Sequence, residues 1–145
     1  MDSLKIYAET VKVIEDAIGC ECIAYDEETP IVRPSFKLNM SVTTEPLTDI
    51  VSYKDVEMEL VYFAKNKKHS QIENQKIQSI ISKLLMKDII TDDGDGFRAE
   101  SVRSDRTVTG ELRMEWNYHS DFDEDWSSEN DTEMLENLDI EIYEN

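Results

Sequence analysis

Leu112-Arg113-Met114-Glu115-Trp116-Asn117-Tyr118 alternates apolar and polar side chains without a break. Successive side chains of a strand point to opposite faces. This stretch therefore offers Leu112, Met114, Trp116 and Tyr118 to one side and Arg113, Glu115 and Asn117 to the other. Three more stretches repeat the pattern. Phe36, Leu38, Met40 and Val42 alternate with Ser35, Lys37, Asn39, Ser41 and Thr43. Val56, Met58, Leu60 and Tyr62 alternate with Glu57, Glu59, Val61 and Phe63, and near the end Leu138, Ile140 and Ile142 alternate with Asp139, Glu141 and Tyr143. One apolar and one polar face per strand predicts an antiparallel or mixed sheet with one side covered. A shorter strand is expected over Glu21 to Tyr25. Phe97 to Val102 is expected to form a hairpin with residues 107–118, turning around Ser104-Asp105-Arg106.

The cover is supplied by two helices. Leu4, Tyr7, Val11, Ile14 and Ile18 make one stripe at helical spacing, with Asp2 or Ser3 as cap and Gly19 placed to end the helix. Ile77, Ile80, Ile81, Leu84 and Leu85 make a second stripe over roughly residues 71–86, and Ser70 with Glu73 spells the S-x-x-E capping box. The order helix, strands, helix, strands predicts an α+β fold, a mainly antiparallel sheet with two helices packed on one face. At 145 residues the chain is expected to form a single domain, 1–145, and one of that size buries roughly 70% of the surface its unfolded chain exposes.

Charge is distributed unevenly. The chain has 33 acidic against 15 basic residues, a formal −18, and no lysine or arginine follows Arg113 although 12 of the acids do. Such a balance repels nucleic acid and anionic membrane and favours basic partners. No run approaches the ~20 apolar residues of a membrane span. The first residues, Met1-Asp2-Ser3-Leu4-Lys5, lack the apolar core of a signal peptide, so a soluble, cytoplasmic protein is expected. Residues 119–133, HSDFDEDWSSENDTE, have no periodicity and read as an exposed acidic loop. Within it Asp121, Asp123 and Asp125 surround Phe122 and Trp126, aromatics that either tuck back onto the domain or anchor a partner. The opposite charge is concentrated in Lys65-Asn66-Lys67-Lys68, where Lys65, Lys67 and Lys68 are expected either to lie in a solvated loop or to complement the acidic loop of a neighbouring copy in a head-to-tail contact.

Catalytic chemistry finds little support. No phosphate-binding G-x-x-x-x-G-K, dinucleotide G-x-G-x-x-G, zinc H-E-x-x-H or nucleophile G-x-S-x-G occurs. His69 and His119 have no nucleophile or carboxylate set around them in sequence and read as surface residues. Cys20 and Cys22 would point to opposite faces of a strand, a poor geometry for a disulfide, and read as part-buried thiols. Thr91-Asp92-Asp93-Gly94-Asp95-Gly96 resembles half a calcium loop but lacks the first acidic ligand and the closing glutamate, so a Gly-Asp turn is expected. Asp121, Asp123 and Asp125 begin another that lacks glycine at its sixth position, and a solvated acid run is expected there. No enzyme activity, cofactor or metal is expected.

The layout, an N-terminal helix, Tyr25-x₈-Pro34-Ser35-Phe36 leading into a long alternating strand, a second strand ending Val61-Tyr62-Phe63, a capped helix and an acidic closing strand, resembles the short tail-terminator proteins. These occur in phages and prophages of Gram-positive bacteria and in headless phage-tail-like bacteriocins. The resemblance implies a non-enzymatic structural protein that forms a hexameric ring on the end of the tail tube. It also implies that the ring stops tube polymerisation and meets sheath or neck proteins, assembling in the host cytoplasm and ending in the virion or tail-like particle. It implies homo-oligomer, tube and sheath or neck contacts, and no direct binding of nucleic acid or membrane. Charge alone leaves a second reading, an acidic DNA-mimic inhibitor of a DNA-handling enzyme, although the acids gather at one end instead of lying in rows. A calcium-stabilised binding module rests on the incomplete loops alone.

Overall fold

A computed structural model describes residues 3–46 and 52–120. Along the chain these form α1 (Ser3–Ile18), β1 (Glu21–Cys22), β2 (Ser35–Pro46), β3 (Ser52–Phe63), α2 (Ser70–Leu85), β4 (Ile89–Ile90), β5 (Gly96–Phe97), β6 (Ala99–Arg106) and β7 (Leu112–Ser120). Five strands make one sheet in the order β1-β2-β3-β7-β6, and β4 and β5 pair separately. All neighbours are antiparallel except β1, which runs parallel to β2. The expected α+β class, with a mainly antiparallel sheet and two helices, is what the chain adopts.

Registration of the three long strands organises the core. Phe36, Tyr62 and Leu112 form one cross-strand rung; Leu38, Leu60 and Met114 the next; then Met40, Met58 and Trp116; then Val42, Val56 and Tyr118. Every apolar rank thus meets an apolar rank on both neighbours. Ile6 and Ile14 of α1 and Ile77, Ile81 and Leu85 of α2 join the same buried cluster, covering that face. A slip of one residue would turn each rung to the polar side, so the register is strongly specified.

The helices depart from their predicted stripes in instructive ways. The buried line of α1 is Ile6, Thr10 and Ile14, while Leu4 is 60% exposed. A polar residue takes the central place because its hydroxyl has two partners there. Thr10 Oγ1 donates to the Ile6 carbonyl at 2.7 Å and lies 3.2 Å from the Tyr118 hydroxyl. Gly19 ends α1 as expected, with φ of 71° and its N–H on the Glu15 carbonyl. In α2, Ile77, Ile81 and Leu85 are buried and Ile80 is exposed. The predicted capping box does not form. His69 occupies the N-cap position and makes no side-chain cap bond. Glu73 instead accepts the Tyr62 hydroxyl and the Lys65 N–H, each at 2.7 Å, which ties the first turn of α2 to the end of β3.

Two further expectations are corrected. The hairpin before β7 turns at residues 107–111, not at Ser104-Asp105-Arg106, because β6 continues to Arg106 and pairs it with Leu112. That edge strand is polar on both faces and carries a bulge between Ala99 and Val102, so it shows no alternation to read. The strand expected over Glu21 to Tyr25 is only two residues long. His119 and Ser120, assigned by sequence to the acidic loop, pair with Asp55 and Lys54 as the end of β7. The predicted strand at residues 138–142 lies outside the described residues.

Two of the hairpin loops follow one recipe. In Thr91-Asp92-Asp93-Gly94-Asp95 and Thr107-Val108-Thr109-Gly110-Glu111, the glycine N–H returns to the threonine carbonyl, and the threonine N–H to the carbonyl of the closing acid. The glycines sit at φ of 86° and 93°, the left-handed conformation that closes a three-residue loop. The stretch resembling a calcium loop is therefore the turn between β4 and β5. Gly94→Ala or Gly110→Ala should each cost about 1–2 kcal/mol of stability from the left-handed backbone alone. Leu60→Ala, at a fully buried site on the central strand, should cost about 2–5 kcal/mol. Urea denaturation of the three variants measures both effects.

Candidate functional site

Residues 64–69 carry the chain from β3 to α2, and Lys65, Lys67 and Lys68 are exposed along them. The turn is held at both ends, by Lys65 N–H on Glu73 and by Lys68 N–H on Asn66 Oδ1 at 3.1 Å. Folding adds what the sequence did not place beside it. Arg33, Lys67 and Arg106, from three separate segments, line one cleft of about 170 Å³ with Ser70 and Asn74 from the start of α2. Arg33 is fixed there, donating to the Ala64 carbonyl at 3.0 Å and lying 6.0 Å from the centre of the Phe63 ring.

The residues that carried the resemblance meet in the same region. The Tyr25 hydroxyl lies 2.7 Å from Ser35 Oγ and accepts the Val32 N–H at 2.9 Å. Its ring stands edge-on to Phe63 at 5.2 Å. The Tyr25-x₈-Pro34-Ser35-Phe36 spacing therefore encodes a clasp that holds residues 23–34 against the end of the sheet and so positions Arg33. Glu111 closes the cleft wall. Burial opposes its charge, but the hydroxyls of Thr107 and Thr109, its own loop backbone and Arg33 outweigh that and hold it below the usual carboxylate range.

The uncovered face of the sheet is a second surface. Asp55, Glu57 and Glu59 succeed one another along β3, with Glu115 opposite Glu59, over a shallow concavity of about 580 Å³. Their charge is largely engaged. Glu59 accepts from Asn39 at 3.5 Å, Asp55 from Asn117 at 3.2 Å, and Glu115 from Arg103 at 2.5 Å. Arg113 grips Asp105 through two nitrogens, at 2.9 and 2.7 Å, and this pairing holds Asp105 below its ordinary range. Among the described residues only Glu57 in this acidic group is left without a partner.

The remaining candidates are placed as follows. Cys20 and Cys22 are half-buried, free thiols, and burial, then Glu15, pushes Cys20 up to about 11. His69 is exposed at the mouth of α2. Asp121, Phe122, Asp123, Asp125 and Trp126 lie outside the described residues. Lys67 is thus brought together with two arginines that sequence spacing could not associate. The one legible hint was Arg33 beside the quoted Pro34-Ser35-Phe36.

Two solution tests follow. A carboxylate held below its unfolded pKa of about 4.3 adds stability above that pH and loses it as pH falls through the folded value. Glu111→Gln should therefore lie below the wild type at neutral pH, and the two stability curves should converge under about pH 4 in urea midpoints measured against pH. A raised thiol pKa lowers the reactive thiolate fraction, so Cys20 at pH 8 should react with iodoacetamide roughly tens of times more slowly when folded than in urea.

No curated protein matches this sequence. Among the described residues no helix is long and apolar enough to cross a membrane. A family model described as phage tail terminator protein matches residues 5–139. The matched span runs from α1 through β7 into the acidic C-terminal segment. Its members are structural parts of phage tails rather than enzymes. With nearly the whole chain covered, this protein belongs to the phage tail terminator family.

Proposed function

We propose that the chain caps the end of a phage tail tube as a ring, stops tube polymerisation, and joins the tube to sheath or neck proteins. Family membership carries this reading. The form of the sheet supports the ring. β1 covers only Ser35 and Phe36 of β2, so among the described residues the rest of that edge has no partner strand, and β6 is the opposite edge. Two unlike open edges suit strand pairing between successive copies, a head-to-tail contact that closes when the rotation permits. A hexamer is the proposed closure. The contact residues in this reading are Lys65, Lys67 and Lys68 on the basic turn and the stretch Asp121, Phe122, Asp123, Asp125 and Trp126. Acids beside aromatics in that stretch suit basic patches on tube, sheath or the next copy. Assembly takes place in the host cytoplasm and the product is a virion component, with no direct hold on nucleic acid or membrane.

The DNA-mimic reading gains little from the open face. Its carboxylates do form a row on β3, but it is a short one, with Asp55 and Glu59 held by asparagine amides and the neighbouring Glu115 paired to Arg103 and Arg113, whereas a mimic needs a long row free to replace phosphates.

A tagged chain recovered from its native host, with co-purifying proteins identified by mass spectrometry, tests the proposal. Tube, sheath or neck proteins are expected. A nuclease or other DNA-handling enzyme, recovered without any tail protein, would sink it. In a second test, adding the purified chain to polymerising tube protein should yield shorter tubes of fixed end structure in electron micrographs.

A further inference from the structure

The cleft at the mouth of α2 has the composition of a binding site for a carboxylate-rich peptide. Arg33, Lys67 and Arg106 line it, Lys65 and Lys68 flank it, and the first turn of a 16-residue helix opens onto it. A helix start favours anions through its unpaired N–H groups and dipole. Lys67 and Arg106 have no ion-pair partner among the described residues. The one acid in the wall, Glu111, is already occupied by two threonine hydroxyls and Arg33.

A second observation points to an occupant. Asn74 lines the same cleft at 5% exposure, and among the described residues its Oδ1 has no hydrogen-bond partner. Buried carboxamides are ordinarily paired. A peptide brings both carboxylates for the cations and backbone N–H groups for the amide.

The chain contains such a peptide. Residues 121–145 carry 11 of the 33 acids and no lysine or arginine. They begin beyond Ser120, which pairs with Lys54, whereas the cleft lies at the other end of β7, beside Leu112 and Glu111. Nine residues of strand separate the two ends by roughly 30 Å. Extended, residues 121–145 span at most about 80 Å, enough to cross to another subunit. Acidic exit and basic cleft at opposite ends of one sheet give the subunit a direction.

We propose that this cleft binds the acidic C-terminal segment, residues 121–145, of a second copy of the chain. The inference rests on the ring reading above and names one of its subunit contacts.

Carbodiimide cross-linking of an equal mixture of unlabelled and ¹⁵N-labelled full-length chain tests it. The expected products are mixed-isotope pairs joining Lys65, Lys67 or Lys68 to carboxylates of residues 121–145. They should fall at least about tenfold in the Lys67→Glu, Arg106→Glu double variant and in high salt, which screens exposed charge pairs. Lys37→Glu, on the open face, should leave them unchanged. Lys67→Gln with Arg106→Gln, a gentler pair at exposed sites, should give the same loss and guards against misfolding. Same-isotope pairs alone would overturn the proposal, since each chain would then fill its own cleft. So would no pairs, pairs equally abundant from Lys37, or protection of the lysine turn by a duplex oligonucleotide with no mixed pairs. Sedimentation of the same samples separates two failures. Oligomers without these cross-links remove only the cleft contact, whereas a chain that neither oligomerises nor shortens tubes removes the ring.

Discussion

The register of β2, β3 and β7 is the constraint on which everything else depends. Four apolar rungs, from Phe36-Tyr62-Leu112 to Val42-Val56-Tyr118, coincide across three strands. Sliding any strand by one residue would bury Glu57, Glu59, Arg113 and Glu115, and buried unpaired charge costs far more than a methylene out of place. The polar ranks reinforce the choice from the other side. Glu59 and Glu115 face Asn39 and Arg103, and Arg113 faces Asp105, only in this register. Both faces therefore vote for the same pairing. That agreement makes a shallow two-helix cover sufficient.

Much of this was legible in the sequence. Strands with one buried face betray themselves through period-two alternation, and β2, β3 and β7 all have one. Helix ends were readable where backbone chemistry decides them, as at Gly19. What could not be read depends on partners distant in sequence. Thr10 occupies a core position because Tyr118, 108 residues away, supplies a hydroxyl. Glu73 abandons its expected cap for Tyr62 and Lys65. Strand β6 was read only as far as Val102, because the rest of an edge strand answers to cross-strand charges, not to a hydrophobic face. Among candidate site residues, the basic turn was visible as a run of lysines. Its companions Arg33 and Arg106 were not, since only the topology brings residues 33, 67 and 106 together.

Electrostatics here is segregated more than it is merely negative. On the open face Arg103 and Arg113 balance Glu115 and Asp105, while Asp55 and Glu59 keep their charge and are held by asparagine amides. The end of the sheet near Ala64 and Glu111 gathers arginine and lysine, while the sequence beyond Ser120 has acids alone. In the ring proposed above, this segregation would give each contact between copies a preferred orientation and make association sensitive to ionic strength.

The shortness of β1 has a consequence for how such a protein changes over evolutionary time. Two residues of parallel pairing cover the start of β2 and leave the rest of that strand's outer margin without a covering strand among the described residues. Residues 23–34 lie at the start of β2, where Tyr25 is held by Val32 and Ser35. A few substitutions lengthening β1 would let the chain satisfy its own margin. In the ring proposed above, the length of β1 would thus decide whether that margin stays open to a neighbouring copy.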